Sequence, residues 1–272
     1  MAASGARRGA VAILVVIAAV VALAVGGRQL WDKARTAIRS DGCDFGSYNL
    51  TLSRAQNASQ MTSVVIKRAL PERAAVLVLG AALQESKLDN IASGDGDRDS
   101  VGVLQQRPSQ GWGSATNLAN VSYATGKFLD ALVKVPNWTT ASLASVVQEV
   151  QVSADGTAYA KHEAEAQALA DVLMGKTAAG VTCNFSQPAK IASVGTVSNR
   201  IVLDLPVNRP SVSGTSVSVS GASWATAAWF VTHASSYGID KVAYAGRVWT
   251  RAKGWQNDPA VSASAVNATL AA

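Results

Sequence analysis

Cys43 and Cys183 are the only two cysteines in 272 residues, and 140 positions separate them. A bond between them closes half the chain into one loop, so the compartment in which the chain folds matters more than any local propensity. The compartment is written near the N-terminus. Every residue from Ala10 to Val25 is apolar, with Arg7 and Arg8 before the run and Gly26, Gly27 and Arg28 after it, which is the pattern of an export signal. The run is longer than most signal-peptide cores and close to a membrane span. An uncleaved transmembrane anchor over 10–27 is therefore expected, behind a cytoplasmic segment 1–9. Cleavage after Ala24, in the small-x-small stretch Ala22-Leu23-Ala24, is the alternative. Both outcomes place the rest of the chain outside the cytoplasm, where a Cys43–Cys183 disulfide is the natural reading and two buried free thiols the other one. Closing so long a loop contributes roughly 4 to 5 kcal/mol in the chain-entropy model.

Charge points the same way. Of the net charge of +6, residues 1–39 carry most: Arg7, Arg8, Arg28, Lys33, Arg35 and Arg39 against Asp32 alone. The remaining 18 basic and 17 acidic residues nearly cancel, so the basicity flanks a membrane segment and no nucleic-acid partner is expected. At 49% hydrophobic and 15% charged residues, the chain can build one packed core and a second, smaller one. No Cys/His cluster occurs, so no zinc, other metal or cofactor is expected.

Punctuation and periodicity predict an α+β chain, mostly helical at first. After a charged stalk over 28–42, residues 43–183 form the main domain. Helices are expected over Ser53–Ala69, Pro71–Leu88, Ser122–Val133, Thr140–Val152 and Thr157–Met174. Asp89–Gly113 is rich in Gly, Asp, Ser and Pro, and reads as a long loop with one short strand at Val101–Gln105. Residues 184–221 lose helical period and read as a linker, with a strand at Ile201–Leu205. A small α+β unit over 222–256 follows: a helix at Ala222–Tyr237 capped by Gly238, then strands at Lys241–Tyr244 and Arg247–Thr250. Residues 257–272 are small and polar, and read as a frayed tail.

One residue breaks the apolar pattern of the second helix. Glu85 shares a helix face with Leu77, Val78, Ala81 and Ala82. A carboxyl in such surroundings loses hydration, which raises its pKa and keeps a transferable proton near neutral pH. That is the requirement for a general acid in glycosidic cleavage. A Glu paired with a basic group, or ending the helix near solvent, is the plainer alternative.

The surroundings of Glu85 resemble the lysozyme-like lytic transglycosylase superfamily, which includes soluble lytic transglycosylases and goose-type lysozymes. In that family a helix ends in Glu-Ser, and Ser-x-Gly-x-x-Gln follows after a variable loop. Glu85-Ser86 and Ser100-Val101-Gly102-Val103-Leu104-Gln105 match these elements, and the stretch from Leu83 to Trp112 is similar to an actinobacterial exported branch. The resemblance covers residues 45–182. It lacks the family's aromatic-Asn-Ala-Gly motif, whose place falls to Val150-Gln151-Val152-Ser153 through Tyr159. It implies a lysozyme-like domain that cleaves peptidoglycan between N-acetylmuramic acid and N-acetylglucosamine. Glu85 would protonate the leaving glycosidic oxygen and then take the proton of the sugar's own 6-hydroxyl, giving a 1,6-anhydro end. Gln105 would bind the sugar or its acetamido group, Ser86 would orient Glu85, and Gly102 would permit close backbone approach; Ser100, from the same motif, joins them as a substrate-binding candidate.

Several features compete for other roles. Inverting hydrolysis needs a second carboxylate about 6.5 to 9.5 Å away, for which Asp97 and Asp99 are the candidates, against a plain role in loop structure. Asp95-x-Asp97-x-Asp99 copies the start of a calcium loop, but Ser100 stands where Gly is needed and Gln106 where Glu is needed. Trp112, Trp138 and Tyr159 read either as stacking on sugar faces, with Tyr159 a substrate-binding candidate, or as core packing, and His162 either as a polar edge of a cleft or as a solvated surface residue near Glu163. Trp224, Trp229, Trp249 and Trp255 suit either wall binding or a small core, and His233 has no evident metal partner. Outside enzymology, the chain reads as a wall-binding or scaffold subunit of an envelope machine such as a conjugation apparatus.

Overall fold

The computed structural model describes residues 41–92, 99–151, 157–188 and 190–271. The chain enters through strand β1 (Gly42–Phe45) and turns into β2 (Tyr48–Leu50). Helix α1 (Leu52–Lys67) begins where the Thr51 side chain accepts the Arg54 N–H, and it buries Ala55, Ala58, Met61 and Val65 at helical spacing. Pro71 then opens α2 (Glu72–Ser86), with Glu72 in its first turn.

Helix α2 is the axis of the domain. Its residues from Ala74 to Leu83 are all buried, as an element apolar on every side must be. Neighbours surround it: α1, then α4 (Val121–Leu132) beyond the short α3 (Ala115–Leu118), α5 (Leu143–Gln151), the one-turn α6 (Thr157–Ala160) and α7 (Glu163–Leu173). Gly80 leaves the room that the Leu143 side chain fills. The helix ends when Lys87 and Leu88 both take left-handed backbone conformations, with φ of 55° and 67°. Leu88 plugs the core while its carbonyl accepts from Asn57, and Asp89 pairs with Arg54.

Strand β3 (Val181–Asn184) returns beside β1, giving a three-stranded sheet ordered β2-β1-β3. Cys43 lies directly opposite Cys183 in that ladder, and the two form a disulfide.

The second half departs from the sequence expectation in three places. Residues 184–221, expected as a linker, contain helix α8 (Val194–Asp204) and strands β4 (Ser211–Ser213) and β5 (Ser216–Ser220). Ile201–Leu205, expected as a strand, closes that helix: Ser193 caps it, and Val197, Ile201 and Leu205 recur four apart on the buried face. The β-branched residues that argued for a strand are outweighed by the cap and the period.

The expected helix at Ala222–Tyr237 divides at His233 into α9 (Trp224–Thr232) and α10 (Ala234–Tyr237). Strands β6 (Ile239–Tyr244) and β7 (Arg247–Thr250) lie where the sequence placed them, and β8 (Gly254–Asn257) adds a third. The expected tail holds β9 (Ala265–Leu270), with Val266, Ala268 and Leu270 buried in strict alternation. Its small side chains disguise a strand. Together these build an antiparallel sheet ordered β4-β5-β9-β6-β7-β8.

Helix α9 packs on β6 and also on α1, α7 and β3, so residues 41–272 form one compact unit. The tryptophans belong to this packing. Trp229 and Trp249 are fully buried, Trp249 donates to Thr182, and Trp255 donates to the Val181 carbonyl. Trp224 packs edge-on against Tyr244 and Trp255.

Two local expectations also change. Val101–Gln105 makes only isolated bridges, Ile91 to Gly102 and Val101 to Gln106, around a tight turn. The Thr157–Met174 helix breaks between Ala160 and Glu163 into α6 and α7. Of the expected stalk, Asp41 precedes β1 and Gly42 is the strand's first residue. Residues 1–40, including the expected anchor, lie outside the described residues, among which no helix is long and apolar enough to cross a membrane.

Candidate active site

Glu85 sits in the last turn of α2, where the helix stops at Lys87 and the chain leaves for the long loop. Its carboxyl faces an open cleft of about 530 Å³. It is lined by Ser100, Gln105, Gln106 and Arg107 from the turn 100–107, by Gln151 from α5 and Tyr159 from α6, and by Gln110 and Trp112.

The environment of Glu85 has two opposed parts. Burial pushes its carboxyl pKa up, and hydrogen bonds from Tyr159 and Gln151 pull it partly back. The Tyr159 hydroxyl donates to Glu85 Oε1 at 2.5 Å, and Gln151 also donates from Nε2 to the Leu104 carbonyl at 3.0 Å. Gln151 therefore ties the carboxyl to the turn 100–107. The neighbouring His162 approaches Gln84 rather than Glu85, at 3.1 Å, and burial lowers its pKa.

The residues of the two sequence motifs separate into cleft and support. Ser100, Gln105 and Tyr159 line the cleft with Glu85. Gln105 holds an unusual left-handed conformation for a non-glycine residue, φ 46°, and its amide donates back to the Gly102 carbonyl at 2.9 Å. Ser86 is buried and touches the site only through backbone: its hydroxyl bonds the Ala82 and Val103 carbonyls, fixing the turn against the helix end. Gly102 sits at a close backbone approach. Its φ is 81°, and a Cβ there would lie 2.3 Å from the Leu118 carbonyl oxygen, so the close approach is to the protein's own backbone and not to the cleft.

The second-carboxylate candidates fare differently. Asp97 lies outside the described residues, as does Asp95. Asp99 is not on the cleft wall: Oδ1 accepts from Arg107 Nε at 2.7 Å and Oδ2 accepts the Ser109 N–H at 2.8 Å. Those bonds, Arg107 first, hold its pKa far below the usual carboxylate range. Both oxygens thus organise the loop. Among the described residues, Glu85 is the one carboxylate lining the cleft, and no group of three or more His, Cys, Asp or Glu is placed to hold a metal.

Sequence reasoning passed over Arg107 and Gln110, and gave Gln151 no role of its own. Gln151 carries no local signal, because nothing in its spacing shows that α5 ends beside the last turn of α2. Trp138 packs against the core, whereas Trp112 reaches the rim. No protein-family model matches the chain, and no curated protein matches it in sequence.

Proposed function

We propose that this chain is a peptidoglycan lytic enzyme that cleaves the bond between N-acetylmuramic acid and N-acetylglucosamine without water, leaving 1,6-anhydro ends. The observation that carries the reading is a desolvated Glu85 in an open polar cleft, held by Tyr159 and Gln151, with no second described carboxylate on the walls.

In this mechanism the protonated Glu85 gives its proton to the glycosidic oxygen as the C1–O bond breaks, and the bonding electrons leave with that oxygen. The carboxylate formed is the form that the Tyr159 and Gln151 donors stabilise. It then removes the proton of the muramic acid 6-hydroxyl, whose oxygen closes onto C1. One carboxylate serves both steps and is protonated again at the end.

Hydrolysis as an inverting muramidase would require Asp97 or Asp99 as base; the engagement of both Asp99 oxygens disfavours that residue. A purely scaffolding role in an envelope machine leaves the grouping of Glu85, Gln105 and Tyr159 on one cleft without a purpose. The export-type N-terminus and the disulfide support a place outside the cytoplasm, tethered to the cytoplasmic membrane, or secreted if the chain is cut after Ala24.

The test uses the full chain in detergent on purified peptidoglycan. Wild type is expected to release muropeptides ending in a 1,6-anhydro sugar, lighter by one water than hydrolytic products, and Glu85→Gln to release none while keeping its circular dichroism. Equal release by both proteins sinks the assignment, and reducing ends throughout convert it to a lysozyme.

A further inference from the structure

The cleft beside Glu85 carries a single cation among its described lining residues, Arg107. Its side chain is 24% exposed, and one of its nitrogens is used: Nε donates to Asp99 Oδ1. The usual side-on pairing of guanidinium and carboxylate takes two parallel hydrogen bonds. Here the second Asp99 oxygen turns to the Ser109 N–H instead. The two terminal nitrogens of Arg107 are left with no hydrogen-bond partner among the described residues. These donors are open to the cleft, and a planar fork of N–H groups matches a carboxylate. Ser100, Gln105 and Gln110, which also line the cleft, are neutral.

We propose that Arg107 determines specificity by receiving a substrate carboxylate on its terminal nitrogens, so that the cleft selects glycans bearing an acidic substituent over neutral N-acetylglucosamine polymers. The proposal rests on the peptidoglycan reading of the cleft. On that substrate the carboxylate has two sources: the 3-O-lactyl group of muramic acid freed of peptide, and the acidic residues of the stem peptide. Asp99 acts as a brake, since its negative charge competes for the same guanidinium.

The experiment measures binding by calorimetry on the full chain carrying Glu85→Gln, which halts turnover. Three probes of equal sugar length are compared: peptide-free glycan with lactyl carboxylates, peptide-bearing glycan, and neutral N-acetylglucosamine oligomers. At least one acidic probe is expected to bind roughly tenfold or more tighter than the neutral one, with a preference that shrinks as salt rises. Whichever acidic probe binds better identifies the source. Adding Arg107→Gln is expected to bring acidic and neutral probes within about twofold of each other without weakening the neutral one, consistent with loss of a single charged contact. Asp99→Asn removes the competing charge and keeps one acceptor oxygen in place of two, so it holds Arg107 or Ser109 more weakly; it is expected to tighten acidic probes about threefold or more and leave the neutral one unchanged.

A charge preference that survives Arg107→Gln, or one that Asp99→Asn fails to strengthen, overturns the role of Arg107 while wall lysis by the wild type stands. No binding of any probe together with no lysis by the wild type sinks the peptidoglycan reading, and this inference with it.

Discussion

The hydroxyl of Tyr159 reaches across 74 positions of sequence to donate to Oε1 of Glu85 at 2.5 Å. Tyr159 is 2% exposed and sits on a helix of one turn packed against α2, so the donor is fixed in place before any substrate arrives. Removing it as Tyr159→Phe leaves burial of Glu85 unopposed at that oxygen. The Glu85 pKa then rises further, and the alkaline limb of the lysis rate, where the acid loses its proton, moves to higher pH. The maximal rate is expected to fall roughly tenfold, the scale of one charged hydrogen bond. A pH–rate profile superimposable on the wild type would show that the phenol plays no part.

His233 predicts an acid-sensitive fold. It is fully buried, stacked on Trp229 with ring centroids 4.2 Å apart, and its Nδ1 lies 2.8 Å from the Trp229 carbonyl. Burial holds its pKa down to about 4, opposed by the Trp229 carbonyl and Asp204 and reinforced by Arg200. The folded value lies below the unfolded value of about 6.5, so the unfolded chain binds the proton more readily. The stability of the neutral form is therefore present above that pH and is lost as pH falls toward about 4. Between pH 7 and 5 the loss is roughly 2 kcal/mol. Urea midpoints at the two pH values measure it, and His233→Phe is expected to flatten the difference; a wild-type midpoint unchanged across this range contradicts the prediction.

Gly102→Ala tests the support beneath the cleft. The new Cβ meets the Leu118 carbonyl oxygen at 2.3 Å, on a backbone with φ of 81°, so backbone must move on one side or the other. A destabilisation of roughly 2 to 4 kcal/mol is expected from strain and overpacking together. Lysis is expected to fall with it, because Val103 and Gln105 ride on the same turn. Chemical denaturation reads the effect, and a shift smaller than about 0.5 kcal/mol, the range of a plain surface change, refutes it.

The Cys43–Cys183 crosslink predicts a large redox effect on stability. Reduction frees a loop spanning 140 positions, which costs about 5 kcal/mol in the chain-entropy model. Cys43→Ser with Cys183→Ser is expected to lower the denaturation midpoint accordingly, and unreduced wild type to resist thiol labelling. Full labelling of both residues without reductant would exclude the bond.

The site was legible in the sequence where chemistry conflicted with pattern. Glu85 stands out because Leu77, Val78, Ala81 and Ala82 demand a buried neighbour, and all four are fully buried. The α+β class and most helices of the first half followed from period and caps. Gly102 stands out through its place in the Ser-x-Gly-x-x-Gln stretch, whereas the atom it must avoid, on Leu118, is set by tertiary packing. Arg107 and Gln151 drew no attention, since a cleft wall assembled from α5, α6 and a turn leaves no spacing to read. In the second half, Val197, Ile201 and Leu205 had the helical period, but Ser, Val and Pro around them masked it. Strand β9 was lost because alanine and asparagine alternate too weakly to announce a buried face.

The place of β9 in the sheet sets an order on how this protein can be made. It lies between β5 and β6, pairing Ser220 with Ala265 on one side and Ile239 with Leu270 on the other. The hairpin of β4 and β5 and the meander of β6 to β8 therefore have no ladder in common until residues 265–270 arrive. While the chain is still emerging, both pieces present open edges, which are templates for pairing with the wrong strand. Contacts this distant in sequence also form slowly. The interval between the appearance of β5 and the arrival of β9 is the period in which a chaperone has most to protect.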